Sequence, residues 1–169
     1  MLRRSIHRRV NGDCHTRAMT TYEADDSPAR LDVDAIYGFL STQAYWHRWR
    51  TRAQIEQQIR GAWRVVGIYI GGTNDLVGYA RAMSDGVSDA YLGDVYVLRD
   101  HRGQGLGKLL MRTMVDDGPG KNLRWFLTTK DAHGLYRQFG FAEPDERMMV
   151  RPGNFPAPTG EQTPDSLAE

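Results

Sequence analysis

The chain has 169 residues, 40% hydrophobic, 25% charged and 10% aromatic, which is the balance of one soluble globular domain and not of a disordered, fibrous or membrane-embedded protein. A chain of this length buries roughly two-thirds of the surface its unfolded form exposes, so a core can stand without disulfides or a structural metal. The net charge is +1, but residues 1–17 hold five Arg and one Asp, leaving 17 basic against 20 acidic side chains on the remainder.

From the N-terminus, residues 1–18 read as a basic arm without fixed structure, or as a stretch ahead of the true start at Met19. The arm has no aromatic residues with which to stack bases, so nucleic acid is not an expected partner. It also lacks the apolar run of a secretory signal, and no stretch nears the roughly 20 apolar residues of a membrane span. Cys14 is alone, which excludes an intramolecular disulfide and suits a reducing, cytoplasmic setting.

A single domain is expected over 19–151. Thr20 to Ala24 reads as a short strand. Asp32 or Asp34 caps a predicted helix to Leu40, with Val33, Ile36, Tyr37 and Leu40 on one face, and Thr51 caps a second through Arg60. Between them runs Ala44-Tyr45-Trp46-His47-Arg48-Trp49-Arg50. Trp63–Ile70 and Leu76–Met83 form a predicted hairpin around the turn 71–75, where Gly and Asn supply positive φ, and Tyr91–Leu98 makes a third strand.

A glycine-rich turn, Arg99 to Gly107, then enters an amphipathic helix with Leu106, Leu109, Leu110, Met114 and Val115 on its apolar face, ended by Gly118-Pro119-Gly120. Leu123–Thr129, apolar on both faces, predicts a buried strand. Asp131 caps a predicted helix to Phe139, Gly140 stops it, and Arg147–Val150 predicts a last strand. The tail 152–169 is proline-rich and reads as disordered.

The residues Arg102-Gly103-Gln104-Gly105-Leu106-Gly107-Lys108 stand between a strand and a helix. A helix start offers unpaired N–H donors and the positive end of the backbone dipole, and glycines let a bulky anion approach them. The spacing suits a pyrophosphate, with Arg102 or Lys108 adding charge. It is not a Walker loop, which needs four residues between its first Gly and Gly-Lys, then Ser or Thr; three intervene here and Leu109 follows. Nor is it a dinucleotide turn, which needs Gly-x-Gly-x-x-Gly near a first strand.

Arg102-x-x-Gly105-x-Gly107, preceded by Asp94-Val95-Tyr96-Val97, resembles the acyl-CoA pyrophosphate loop of the GNAT superfamily of N-acetyltransferases. About 30 residues on, Ala132-His133-Gly134-Leu135-Tyr136 through Gly140-Phe141 resembles that superfamily's second motif. Within it, Tyr45-Trp46 and Arg81 to Asp85 resemble a group of small bacterial and fungal members. The resemblance implies an α/β fold: a mixed, mostly antiparallel central sheet flanked by helices and splayed near Tyr96, at the strand that binds acetyl-CoA.

It also implies transfer of acetyl from acetyl-CoA to a primary amine by direct attack. Val95, Tyr96 and Val97 would pair with the pantetheine arm, with the Val97 N–H meeting the developing oxyanion, and Gly103 to Lys108 would hold the pyrophosphate. Tyr136 matches the general acid for the departing thiolate, and would otherwise be a packing tyrosine. Asp94 and Asp85 are the candidate carboxylate bases, or are structural, capping a turn or pairing with Arg81. Asp94 and Tyr96, two apart, share a strand face, expected to be the acceptor side.

Tyr45 and Trp46 fall where the acceptor pocket is walled; they hold substrate or pack on the core. Thr129 stands where many members have Asn. His47, His101 and His133 lack metal-ligand spacing, so no metal is assigned. The mild acidity of 18–169 leans toward a cationic acceptor. A non-catalytic acyl-CoA sensor is the alternative function, and a homodimer is as open as a monomer.

Overall fold

The structure, a computed structural model, describes residues 20–155 and the backbone of 4–6. Cys14, the rest of the basic arm and the tail beyond Phe155 lie outside the described residues. Six strands, β1 (Arg4–Ile6), β2 (Tyr22–Asp25), β3 (Arg64–Ile70), β4 (Leu76–Ser84), β5 (Asp89–Val97) and β6 (Arg124–Leu127), lie in chain order across one sheet. Neighbours from β1 to β5 are antiparallel, and β5 pairs with β6 in parallel. A parallel step needs a crossover, and α3 (Leu106–Met111), prolonged by a π-turn over Arg112–Asp116, supplies it. Arg4–Ile6, expected to be without structure, extends the sheet beside β2.

Helices cover both faces. On one, α1 (Val33–Thr42) and α2 (Arg52–Arg60) bury Ile36, Phe39, Leu40, Ile55 and Ile59 against Val65, Tyr69, Tyr79 and Tyr96. Asp32 accepts the Ala35 N–H at 2.9 Å, and Thr51 with Gln54 forms a capping box, so both helices start where a side chain satisfies a first-turn donor. On the opposite face Leu106, Leu109, Leu110, Met111 and Met114 of the crossover pack on Val66, Ile68, Ala80, Ala82 and Leu92. β3 and β4 are buried on both faces, hence their continuous apolar runs.

Several expectations are corrected. β6 is not a fully buried strand but the sheet edge, with Trp125, Phe126 and Leu127 half-buried. Asp131 does not cap α4 (His133–Tyr136): Ala132, at φ 59, starts it without a side-chain cap. Residues 147–150 form no strand, and Met149 is 93% exposed. In the 71–75 turn Gly72 takes positive φ and Asn74 does not. The described part of the tail reaches Phe155, whose ring stacks on Trp49 at 5.0 Å.

The sheet parts at the expected strand. β5–β6 pairing runs from Asp89↔Arg124 to Leu92↔Leu127 and stops, while β5 continues to Val97. The split therefore begins at Gly93, three residues before Tyr96. At the same place β4 pairs Tyr79 with Tyr96 but Arg81 with Gly93. The extra residue on β5 is taken up by a bulge at Asp94, whose φ is 54, a left-handed value that Asp tolerates better than most residues.

Candidate active site

Beyond the bulge, β5 presents its backbone to the opening. Leu98 donates its N–H to Val77 O at 2.8 Å, so strand alternation turns the Val97 N–H and C=O away from β4 and into the split. The Val97 carbonyl already accepts from Arg102 Nε at 2.9 Å, which fixes the start of the glycine-rich turn against the strand. Gln104 reaches back to Tyr22 Oη at 3.1 Å, and Tyr22 Oη meets His101 Nδ1 at 2.9 Å.

Within that turn Gly103 and Gly105 have φ of 76 and 80, and an added Cβ at either would meet no protein atom within 4 Å. Only glycine takes this backbone without strain, and the missing side chains leave the approach to α3 open from outside. Gly105 is the N-cap of α3 and offers no side-chain acceptor to its first N–H groups. Leu106 is buried in the core, so it contributes its backbone alone; Arg102 and Lys108 are exposed beside the turn. Gly107 lets Leu135 of α4 approach, at 3.3 Å from where a Cβ would stand.

Tyr136 lies on α4 in the apolar cluster that Val95, Val97 and Leu127 border, against Phe141. Burial, with Tyr45 and Asp131 nearby, pushes its phenol up to about 12. It is thus protonated throughout the neutral range.

The segment between α1 and α2 spans the split. Tyr45 Oη accepts the Lys130 N–H at 2.8 Å and lies 3.4 Å from Asp131 Oδ1, on the β6 side. The adjacent Trp46 donates Nε1–H to Asp94 Oδ1 at 2.8 Å, on the β5 side. Their rings meet edge to face at 4.8 Å. Thr129 is held locally, its hydroxyl donating to Asp131 O at 2.5 Å.

Asp94 is the hub of a buried ion cluster. Arg50 grips it with Nη1 and Nη2 at 2.8 and 2.9 Å, and Arg81 Nε donates to Oδ2 at 2.6 Å. Burial alone would raise this carboxyl; the two guanidiniums outweigh it and hold it down at about 2. Asp94 and Tyr96 do face the same side, toward α1 and α2. Yet a carboxylate with two arginines on it is a poor proton acceptor, so the pairing with Arg81 is the role the geometry gives it.

Asp85 sits in the β4–β5 turn, where its Oδ1 accepts the N–H groups of Val87, Ser88 and Asp89 at 2.8, 2.9 and 3.2 Å. The Ser88 hydroxyl and these amides hold its carboxyl well below the usual range. At about 3.3 Å per residue, the far end of β5 places it on the order of 25 Å from Val97. It caps a turn, and the structure does not bring it to the split.

A model of the acetyltransferase (GNAT) family matches residues 20–141. The chain belongs to the GNAT family of acetyltransferases. A Xanthomonas campestris protein described as a GNAT-family member is 32% identical, over 78% of this chain and 93% of that one, at TM-score 0.72. The Gibberella zeae protein FG08082, named as an acetyltransferase, is 28% identical over 72% of this chain and 80% of its own length. Glucosamine-6-phosphate N-acetyltransferase of Arabidopsis thaliana, 14% identical over 77% of this chain and 97% of that one at TM-score 0.53, shares the fold alone.

In this GNAT chain, sequence reading missed Arg50, which looks like one more surface arginine in a basic aromatic run but is 3% exposed. The signal was present: Arg50 follows Trp46 by one helical turn's spacing, in a segment with two Trp and a His, where a solvated linker would carry small polar residues. It also missed Asp131 as a neighbour of Tyr45, because the residue looked like a helix cap. Among the described residues no helix is long and apolar enough to cross a membrane.

Proposed function

We propose that this protein is an N-acetyltransferase that moves the acetyl group of acetyl-CoA onto a primary amine by direct attack. The observation that supports this best is the split beyond Leu92↔Leu127, which leaves the outward backbone of Val95 and Val97 unpaired by β6 next to an open, uncapped glycine turn. In this reading Gly103, Gln104, Gly105, Leu106 and Gly107 present backbone N–H groups to the pyrophosphate, and Arg102 and Lys108 add charge. Val95, Tyr96 and Val97 carry the pantetheine arm as a strand would.

Acetyl-CoA supplies an activated thioester carbonyl. The Val97 N–H, turned into the split, faces the oxygen that gains charge as the amine nitrogen attacks the carbonyl carbon. As the N–C bond forms and the C–S bond breaks, Tyr136 gives its proton to the leaving sulfur and is repaid by the proton the amine nitrogen sheds. Tyr136 suits this work because burial keeps it loaded. Since Asp94 and Asp85 are both engaged, the amine enters neutral, or its ammonium form first gives its extra proton to solvent before attack. Tyr45 and Trp46 wall the acceptor side and pin the segment that closes it.

Calorimetric titration of coenzyme A, with thiol release from acetyl-CoA over an amine panel, tests the reading. Binding followed by release with at least one amine is expected. Binding without release for every amine would favour an acyl-CoA sensor, and no binding would overturn the assignment of the loop.

A further inference from the structure

On the α1–α2 face, the sheet is covered near Val65 and Arg81 but bare beyond them. Register places Met83 opposite Tyr91 and Tyr91 opposite Phe126, so three apolar side chains form a strip across β4, β5 and β6. Met83 and Tyr91 are 41% and 37% exposed, a cost that sheets of soluble proteins seldom bear without use. The next pair toward the split is Arg81↔Gly93, where the Arg81 guanidinium lies over Gly93 and closes the strip off from the Asp94 bulge.

Tyr91 and Phe126 open into a groove of about 1060 Å³ that follows the free edge of β6 and reaches Tyr136. Met148 and Met149 line its outer side. Its carboxylates and arginines stand in exposed pairs. Glu143 meets Arg137 at 2.7 Å, Asp145 meets Arg147 at 2.5 Å, and Arg124 meets Asp89 at 2.7 Å while lying over the Phe126 ring. A polycation would find each lining carboxylate held by an arginine, and the nearest buried cluster, two arginines on one aspartate, carries excess positive charge.

We infer that this groove is the acceptor site and that the acceptor is a monoamine with a flat or extended apolar body, such as an arylalkylamine, lying on Tyr91 and Phe126 with its nitrogen toward Tyr136. This rests on the N-acetyltransferase reading and narrows the cationic acceptor suggested by the net charge of the domain to one with a single charge. The distribution of charge decides here, because Arg124, Arg137 and Arg147 stand against Glu143 and Asp145 along the groove, which leaves it no excess of negative charge to draw a polycation.

The test titrates 2-phenylethylamine and spermidine into the protein saturated with coenzyme A, and measures thiol release from acetyl-CoA with each. Phenylethylamine should bind at least about tenfold tighter, the discrimination expected when an apolar body fills an apolar pocket. Phe126→Ser and, separately, Tyr91→Ser should raise its KM about tenfold with the acetyl-CoA KM little changed. Equal or tighter spermidine binding, or no phenylethylamine binding, overturns the inference whatever amine is turned over. So does a dimer on size-exclusion chromatography that Phe126→Ser dissociates, since a second copy would then fill the groove. Failure of coenzyme A to bind would strike the parent reading, and the amine titration on the free protein would still decide the groove.

Discussion

Trp46 gives its indole N–H to the Asp94 carboxylate at 2.8 Å across 48 residues of sequence, and so ties the connection between α1 and α2 to the bulge where the sheet parts. Among the described residues, Arg50, Arg81 and Trp46 supply the hydrogen bonds that the Asp94 carboxylate accepts. The left-handed backbone of Asp94 is thereby fixed, and with it the angle at which Val95 to Val97 leave the sheet. Geometry of the opening is thus set by an ion cluster on one side of the strand and used on the other.

Removing that charge should be costly. Asp94→Asn leaves two buried guanidiniums against a neutral amide, and breaking a buried pair by deleting one partner costs about 3–5 kcal/mol. The variant is expected to lose roughly that in urea denaturation, with Arg81→Lys losing less. A loss under about 1 kcal/mol would show the cluster to be ornamental to the fold.

Stability should also fall in acid through the same residue. The carboxyl is depressed to about 2 from its ordinary 3.8, so its contribution is complete above pH ~4 and disappears as pH drops toward ~2. Its size is on the order of 2 kcal/mol. Chemical denaturation midpoints measured from pH 5 to pH 2 should show a decline that is reduced in Asp94→Asn. Parallel decline in both proteins would assign acid sensitivity to other carboxylates.

Tyr136→Phe removes a proton donor and little volume. Turnover should drop by about 10²–10⁴-fold, the span typical of a lost general acid, while coenzyme A affinity stays within a few-fold. The split between kcat and Kd is the informative quantity. If both move together, the hydroxyl serves packing or binding, and if neither moves, Tyr136 is a core residue on α4.

How much of this was legible beforehand follows the range of the interactions. Caps are local, so Thr51 is legible from three residues of context, and Asp32 as one of the two candidates with Asp34. The glycine turn was legible for the same reason, since Gly103 and Gly105 answer to their own φ. Asp131 misled because an acidic residue before a helix has two uses, and Ala132 in the left-handed region gave it the other one. Arg147 to Val150 carries a short apolar run like a strand's, but a strand exists only where it pairs with an edge. The Arg50–Asp94 contact, 44 residues apart, left only the aromatic company of Arg50 as a local sign, and nothing local names its partner.

The pyrophosphate assignment can be broken at a single atom. Gly105→Val adds a branched side chain at φ 80 in a position with no protein neighbour within 4 Å, so the fold pays only the left-handed backbone cost of about 1–2 kcal/mol. Coenzyme A, by contrast, would meet that side chain where its phosphates must approach the first turn of α3. Calorimetry should show affinity lowered at least about tenfold, more than 1.4 kcal/mol, in a variant whose melting confirms that it is folded. The same substitution should leave dephosphorylated pantetheine compounds, which have nothing to place on those amides, binding as they do to the parent protein. Equal losses for both ligands would mean that the turn had been deformed, and unaltered coenzyme A affinity would move the phosphate site elsewhere on the sheet.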